Sequence, residues 1–341
     1  MKILVTLPKG NDVFHTFFTE KARREIEKLG EVVYNQKDRA FTKEELKEAL
    51  KDIDVVFTGW GAQRFDEELL SQAKSLKMIA HTGGSVALLQ SEALAKSDII
   101  VLSGNKLYAE SVAEGTLCYM LLAQRKLVEY INETAELGWA QTYRWKKGLW
   151  KKTIGLVGFG MIAQNLARML QPFDVKLKIY SGYLSSEEAA KYNAEVCSLE
   201  ELFETCDIVS VHSGLNEKNY HLIDKTCLGR MKENALLVNT ARGAVINEAD
   251  LIQELQKGKI NAILDVYETE PLPMDSGLRG LPNAILVPHQ GGPTTDVREM
   301  VTLALAEDIK DYMAGERNLV HQISSEYASH MTDEARFKDR K

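Results

Sequence analysis

Short runs of apolar and β-branched residues alternate with longer stretches of mixed polarity along the whole chain of 341 residues. Apolar runs of roughly four to eight residues are typical of strands that are buried on both faces, and the stretches between them have helical spacing. This alternation predicts an α/β fold in which helices flank parallel sheets. A first series of strands is predicted at residues 2–7, 31–35, 54–59, 77–84 and 99–104.

A second series of strands follows a long stretch that contains no proline. We predict one helix from about Glu110 to Leu137, because its only glycine, Gly115, lies near its start. Residues 138–150 are aromatic and basic without a period, which predicts an irregular connection. The remaining predicted strands are residues 153–160, 175–180, 207–214, 235–243, 260–266 and 284–292, and further helices are predicted at 16–30, 66–74 and 295–314.

Composition narrows the class of protein. The net charge is -7, and this acidic balance argues against a nucleic-acid partner. No run approaches the roughly 20 apolar residues of a membrane span, and the apolar start of the chain is too short for a signal peptide. We therefore expect a cytoplasmic protein with no membrane partner. The four cysteines form no CxxC pair, and no metal site is expected.

The strongest local motif is a glycine turn between a predicted strand and a predicted helix. Gly158, Gly160 and Ala163 form a GxGxxA pattern directly after the run TIGLV. The first glycine permits a tight turn, the second lets the backbone approach a pyrophosphate, and the alanine lets the helix pack closely on the strand. The amide groups at the helix start then favour an anion. This context predicts a dinucleotide site.

The end of the following strand decides which dinucleotide is expected. An acidic residue usually stands there to bind the ribose hydroxyls, whereas this chain has Ser181. No Arg or Lys stands there to pair with a 2′-phosphate, and Glu187 and Glu188 lie slightly downstream. The expectation is NAD, with NADP left open.

Three polar residues follow later strands of the second series: Arg242 in NTARG, Glu270 in DVYETEP and His289 in VPHQGG. The carboxyl ends of parallel strands are where ligands bind in such sheets. Reduction of a 2-keto acid needs a cation for the carboxylate and carbonyl, and a proton donor that titrates near neutral pH. A carboxylate beside the imidazole would orient it and raise its pKa. Taken singly, each residue also fits an ordinary structural role.

Several long motifs in order resemble the D-isomer-specific 2-hydroxyacid dehydrogenases over nearly the whole chain. The segment MKENALLVNTARGAVINEADLIQELQKGKINAILDVYETEPLP is similar to that family's signature region. NAILVPHQGGPT resembles its histidine motif, and SVAEGTLCYMLLAQRK resembles its interdomain helix. The resemblance implies an oxidoreductase that interconverts a D-2-hydroxy acid and its 2-keto acid by hydride transfer with NAD(H).

The resemblance also assigns residues. It implies Arg242 as the ligand of the substrate carboxylate and carbonyl, His289 as the acid/base, and Glu270 as its partner. The expected substrate loop is Gly83, Gly84 and Ser85, whose N–H groups suit a carboxylate. The expected cofactor residues are Gly158, Gly160, Met161, Ile162, Ser181, His212, Ser213, Gly214, Thr240, Ala241 and Asp265.

The domain organisation follows from the same resemblance. It implies two Rossmann-like or flavodoxin-like domains with a cleft between them. The substrate domain is expected at residues 1–103 plus 296–330, the NAD-binding domain at 104–295 and a charged tail at 331–341. The family is commonly dimeric, which implies a homodimer, and four aromatic residues would suit its interface: Trp139, Tyr143, Trp145 and Trp150.

Two alternatives stay open at this point. Corepressor relatives use the same fold as an NAD-sensing module that binds proteins, and they can keep the same three catalytic residues. A formate-dehydrogenase-like reaction is the other, although that branch replaces the glutamate with glutamine and this chain has Glu270. Gly214 and Ser181 depart from the family's usual Pro and Asp. The identity of the 2-hydroxy acid cannot be read from the sequence.

Overall fold

The computed structural model describes residues 1–139, 146–332 and 337. The chain divides into two compact units, one formed by residues 1–109 and 293–341 and the other by residues 110–292. Among the described residues, no helix combines the length and the apolar character that crossing a membrane requires.

The first unit is built on a five-stranded parallel sheet with the order β2-β1-β3-β4-β5. Its strands are β1 (Lys2–Val5), β2 (Glu31–Tyr34), β3 (Val55–Thr58), β4 (Met78–His81) and β5 (Ile100–Ser103). Its helices are α1 (Asp12–Phe17), α2 (Glu20–Glu27), α3 (Lys43–Ala49), α4 (Glu67–Leu70), α5 (Glu92–Ala95), α13 (Thr295–Met313) and α14 (Ser325–Ser329).

Successive residues of these strands enter two different hydrophobic layers. Ile3 and Val5 of β1 pack into the layer that contains Phe57 of β3, whereas Leu4 packs into the layer that contains Val56. Side chains alternate between the faces of a strand, so both faces of this sheet are buried. The apolar strands therefore reflect a sheet covered by helices on both sides.

The predicted helix at residues 16–30 is wrong in its bounds, because the structure has two helices there. Phe18 leaves the helical region (φ −105°, ψ 60°), and the Thr19 side chain then accepts a hydrogen bond from the N–H of Ala22. A threonine in this position starts a new helix by satisfying one of the free N–H groups of its first turn. The helix predicted at 66–74 is shorter, ending at Leu70.

The second unit is built on a seven-stranded parallel sheet with the order β12-β11-β10-β9-β6-β7-β8. The strands are β6 (Thr153–Val157), β7 (Lys176–Tyr180), β8 (Ala194–Val196), β9 (Ile208–Val211), β10 (Leu236–Asn239), β11 (Asn261–Leu264) and β12 (Ala284–Leu286). The helices are α7 (Leu127–Leu137), α8 (Met161–Leu170), α9 (Ser186–Ala190), α10 (Leu199–Thr205), α11 (Lys225–Arg230) and α12 (Glu248–Gln256), and α6 (Asn105–Gln124) crosses the division between the units.

The single long helix predicted from Glu110 to Leu137 is also wrong, since α6 and α7 are separate. Lys126 lies between them in the left-handed region, with φ +56°. Its ammonium group donates to Asn261 Oδ1 at 3.2 Å, and it forms an ion pair with Glu129 at 3.3 Å. The N–H of Lys147 bonds the Gln124 carbonyl oxygen at 2.9 Å and satisfies the end of α6.

The aromatic residues proposed for a dimer interface are only partly described. Trp139 and Trp150 are exposed, at 77% and 71% of their surface. Tyr143 and Trp145 lie outside the described residues. Strand β8 was not predicted from the sequence, because Ala194–Val196 is too short and too polar to show an apolar run.

Candidate active site

The turn after β6 holds the predicted dinucleotide motif in strand–turn–helix order. Gly158 has φ +94°, a conformation that side chains disfavour. A Cβ there would lie 2.8 Å from both the backbone nitrogen and the Oγ of Ser213. The fold of the chain therefore requires glycine at position 158, because the turn lies directly against the segment after β9.

Gly160 differs, because no contact in the described part of the chain requires a glycine there. It precedes α8, its φ of −82° suits any residue, and a Cβ would meet no atom within 4 Å. No side chain caps the first N–H groups of α8, which opens with Met161 and Ile162. Open space beside uncapped N–H groups fits the pyrophosphate of a dinucleotide, which a side chain at this position would obstruct. The residues present therefore fit the cofactor that the motif predicts.

Further predicted cofactor residues follow β7 and β9, at the carboxyl ends of these strands. Ser181 comes directly after β7, and its side chain accepts from the N–H of Tyr183 at 3.4 Å. His212 follows β9, and its Nε2 bonds Ser210 Oγ at 2.9 Å. Burial lowers the pKa of His212 to about 4, so this ring is neutral at physiological pH. Ser213 is buried and Gly214 is exposed.

The turn that carries Arg242 is held by the last residue of β10. The Asn239 side chain accepts from the N–H of Ala241 at 3.0 Å and donates to the Arg242 carbonyl oxygen at 3.0 Å. The Thr116 hydroxyl donates to the Val112 carbonyl oxygen at 2.7 Å, so the 2.9 Å contact between Thr116 and Thr240 uses the proton of Thr240. These bonds fix the backbone from which Arg242 projects.

Gly243 brings the Arg242 turn into direct contact with the loop after β11. A Cβ on Gly243 would lie 1.9 Å from the backbone carbon of Tyr267 and 2.4 Å from the nitrogen of Glu268. Backbone atoms cannot move aside as a flexible side chain can. The absence of a side chain at this position therefore sets the spacing between the loops that carry Arg242 and Glu270.

We expect Gly243→Ala to destabilise the protein by about 1–3 kcal/mol, because a methyl group in a filled space strains the surrounding structure. Activity should fall as well, since the two loops must separate. Gly229→Ala is the matched control: its nearest neighbour, Glu254 Oε1, lies 3.9 Å from the added Cβ, and alanine suits helix α11 better than glycine. Urea unfolding of both variants measures the difference, and equal stabilities would contradict the close contact.

His289 and Glu270 form a direct pair. The Nδ1 of His289 lies 2.6 Å from Glu270 Oε2, and the N–H of Tyr267 donates to Glu270 Oε1 at 3.0 Å. The carboxylate is therefore fixed by the backbone on one oxygen and holds the imidazole with the other. This arrangement leaves the Nε2 of His289 as the nitrogen that can exchange a proton with a ligand.

The two groups shift each other's pKa in opposite directions. The hydrogen bond to Glu270 raises the pKa of His289, and burial and the Arg242 charge oppose that rise without cancelling it. Burial alone would raise the pKa of Glu270, but the hydrogen bonds from His289 and Tyr267 outweigh it and lower the pKa. The pair therefore favours a protonated imidazole beside an ionised carboxylate.

Asp265 anchors the loop that carries His289. It follows β11 and is almost fully buried. Its Oδ1 accepts from the N–H of Gln290 at 2.7 Å and from the Tyr119 hydroxyl at 3.1 Å, and its Oδ2 accepts from the N–H of Gly291 at 2.8 Å. The carboxylate is thus occupied within the protein, and it ties the histidine loop to β11 and α6.

The predicted substrate loop follows β4 in the first unit. The Ser103 hydroxyl approaches the carbonyl oxygens of Gly83 at 3.1 Å and Gly84 at 2.8 Å, and the Ser85 hydroxyl donates to the Thr332 carbonyl oxygen at 3.0 Å. Within the described residues, the N–H groups of residues 83–85 make no hydrogen bond. A loop held by its carbonyls with its N–H groups open suits an anion.

The structure brings together Arg242, Glu270, His289 and Asp265 on adjacent loops of the second sheet. Sequence reasoning missed Asn239, Gly243 and Tyr119, which hold these loops. Tyr267 was missed too: its hydroxyl donates between the carbonyl oxygens of Leu264 and Val287, which belong to neighbouring chain segments. Of these residues, only Gly243 could have been noticed in the sequence, because it is a glycine directly after Arg242. The other three act through contacts that no local pattern encodes.

Known proteins resemble this chain over most of its length. Residues 117–291 match the family described as "D-isomer specific 2-hydroxyacid dehydrogenase, NAD binding domain". A D-3-phosphoglycerate dehydrogenase of Methanocaldococcus jannaschii is 34% identical over 318 residues, which are 93% of this chain and 58% of that relative. A glyoxylate reductase of Thermococcus litoralis is 32% identical over 313 residues, which are 89% of this chain and 94% of that relative.

Solved structures share the fold. A Thermus thermophilus protein aligns with a TM-score of 0.76 and 28% identity, covering 95% of this chain and 100% of its own. A glyoxylate reductase from Paecilomyes thermophila aligns with a TM-score of 0.77 and 25% identity, covering 96% of this chain and 99% of its own. The match extends over both units of the chain.

Proposed function

Because the chain belongs to the D-isomer specific 2-hydroxyacid dehydrogenase family, a family of NAD-dependent oxidoreductases, we propose that it reduces a 2-keto acid to the D-2-hydroxy acid and catalyses the reverse reaction. The observation that carries the proposal is the His289–Glu270 pair at 2.6 Å, which lies within electrostatic reach of Arg242. A cation beside an oriented proton donor is what reduction of a carbonyl requires.

NAD is the cofactor of the second unit, whose residues match the NAD-binding domain of the family. We assign the pyrophosphate to the open turn at Gly160 and the first N–H groups of α8, and the adenosine ribose to the strand end at Ser181. NADH, when bound, supplies the hydride. The chain offers no cation directly after β7 for a 2′-phosphate, so we propose a preference for NAD over NADP.

Each catalytic side chain has a separate part in the reaction. The guanidinium of Arg242 holds the acid and stabilises negative charge that develops on the carbonyl oxygen. The Nε2 of His289 gives its proton to that oxygen, and in the oxidation direction it takes the proton back from the hydroxyl group. The Glu270 carboxylate holds Nδ1 and keeps the imidazole in the orientation that aims Nε2 at the substrate.

Glu270→Gln should shift the pH dependence of the reaction. Reduction needs protonated His289, so the rate is full below the raised pKa and is lost as pH rises through it. Glutamine removes the main cause of that raised pKa, and the fall in rate should move to lower pH. At neutral pH we expect kcat to fall about 10- to 100-fold, the loss typical when a carboxylate that orients a functional histidine is removed.

Steady-state rates of NADH oxidation over a pH series measure this shift. Glu233→Gln, an exposed carboxylate of the same unit, is the control and should keep the wild-type profile. An unchanged profile for Glu270→Gln would refute the part given to the carboxylate.

The proposal as a whole is tested by NADH oxidation with a panel of 2-keto acids, repeated with NADPH. Turnover of one acid supports the reaction and identifies the substrate. Tight NADH binding without turnover of any acid would overturn it and favour a cofactor-sensing protein-binding module. In the proposed organisation, the first unit binds the acid and the second binds NAD. A homodimer is also proposed, to be tested by sedimentation.

A further inference from the structure

Tyr108, near the start of α6, has a buried hydroxyl group that the fold does not use. Its oxygen is inaccessible to solvent, and within the described residues its proton has no acceptor at hydrogen-bond distance. Burial raises the pKa of the phenol, so at neutral pH it keeps a proton that it can donate. Buried hydroxyl groups normally have a partner, and the packing of this ring would be served equally well by phenylalanine.

The part of the Tyr108 side chain nearest the backbone packs on the predicted substrate loop. A Cβ on Gly84 would lie 3.1 Å from Cδ1 of Tyr108 and 3.5 Å from its Cβ. The contact involves the end of the ring nearest the backbone, so the hydroxyl lies at the far end, away from Gly84. The N–H groups of residues 83–85 and the phenol therefore offer hydrogen bonds at two separate points of the first unit.

Two further side chains act on the hydroxyl end. The Arg298 charge and a hydrogen bond from the Trp60 indole N–H, which can only donate, both lower the pKa of the phenol, against the larger effect of burial. The Arg298 guanidinium lies over the rings of Trp60 at 5.2 Å and Phe17 at 5.8 Å, and its Nε donates to the Pro293 carbonyl oxygen at 3.1 Å. Within the described residues it has no carboxylate partner.

This setting determines the direction of the missing hydrogen bond. A nearby positive charge makes a phenol a better donor and a poorer acceptor. The expected partner is therefore an oxygen with free lone pairs. The Trp60 ring is half-exposed beside the cluster, at 53% of its surface, so the cluster reaches the surface of the unit.

We propose that Tyr108 determines substrate specificity by donating a hydrogen bond to an oxygen on the third carbon of a 2-keto acid, with Arg298 and Trp60 fixing the donor. The inference rests on the proposed function, in which the acid's carboxylate lies on the Gly83–Ser85 loop. Because the phenol lies a ring's length from that loop, it serves a different part of the acid. The substrate class is a 2-keto acid with a polar tail, such as hydroxypyruvate.

The chemical basis of the preference is the cost of an unpaired buried hydroxyl. A site built to bond a substrate oxygen rejects an analogue that lacks it far more strongly than an apolar pocket distinguishes one methyl group. Pyruvate carries a methyl group at the third carbon, and glyoxylate has no third carbon. Both would leave the Tyr108 hydroxyl without a partner.

The test compares kcat/KM for hydroxypyruvate, pyruvate and glyoxylate in the wild type and in Tyr108→Phe. We expect the wild type to prefer hydroxypyruvate over pyruvate by about 100-fold or more. Tyr108→Phe should lose about 100-fold on hydroxypyruvate and change little on the other two acids. Tyr34→Phe, which removes a hydroxyl that bonds Glu27 at 3.1 Å in the same unit, should behave as the wild type.

Binding measured without turnover gives a second readout. With NAD⁺ in place of NADH, hydroxypyruvate and pyruvate bind without being reduced. Calorimetry should show that Tyr108→Phe weakens the binding of hydroxypyruvate and leaves the binding of pyruvate unchanged. An equal loss of kcat/KM on all three acids would mean that the hydroxyl binds a group that they share. No loss on any acid would leave the hydroxyl without a role. Either result overturns the inference. A wild type that reduces pyruvate as well as hydroxypyruvate overturns the inference alone, whereas one that reduces no acid overturns the proposed function as well.

Discussion

Arg242→Ala is expected to lower kcat/KM for 2-keto acid reduction by about 10³-fold while leaving NADH binding nearly intact. One lost donor to a developing oxyanion costs about 10²- to 10³-fold, and this substitution also removes the charge that holds the acid. The Arg242 backbone should keep its place, because Asn239 holds it through bonds to the main chain. Stopped-flow rates and NADH titration measure the two effects separately.

Arg230→Ala is the matched control for this variant. Arg230 belongs to the same unit, is exposed, and lies 3.9 Å from Glu204, a surface pair of small energetic weight. It should keep wild-type rates. If Arg242→Ala also kept them, the cation would have no part in the reaction. If it lost NADH binding instead, Arg242 would act on the cofactor side.

His289→Gln should lower kcat by about 10²- to 10⁴-fold in both directions, the usual contribution of a positioned acid or base. Glutamine is close in size to histidine and keeps a hydrogen-bonding group near Glu270, but it cannot exchange a proton at neutral pH. The residual rate should also lose the pH dependence that the raised pKa of His289 gives to the wild type.

His15→Gln serves as the control, because this histidine is exposed on α1. The outcome that would contradict the assignment is a His289→Gln enzyme with wild-type kcat. A variant that loses rate but keeps the pH profile would show that another group supplies the proton. Rates with NADH and a keto acid, and with NAD⁺ and the matching hydroxy acid, are both needed, because one residue should serve both directions.

The sequence predicted the sheets far better than the helices. Apolar runs such as KILV reveal buried parallel strands, since both faces of each strand are covered. The interruption at Lys126 has no such pattern: the lysine takes a left-handed conformation, and its ammonium group bonds Asn261, far along the chain. The break at Thr19 was readable in principle, since threonine is a common first residue before a helix.

The candidate site was predicted in its chemistry but not in its support. Arg242, Glu270 and His289 carry the reactive groups and lie in motifs, so the resemblance was sufficient to select them. Asn239 and Tyr119 hold the same loops through side-chain bonds whose partners only the folded chain brings near. Asp265 was predicted as a cofactor residue, and in the structure both its oxygens bond protein groups.

The discontinuous first unit has a consequence for the order in which the molecule is built on the ribosome. Val301, Leu305 and Ile309 of α13 belong to the same hydrophobic layer as Ile3 and Phe57. That layer stays incomplete until almost the whole chain has been synthesised, whereas residues 110–292 are continuous and can pack as soon as they emerge. The N-terminal strands must then wait with an uncovered hydrophobic face until α13 has been synthesised.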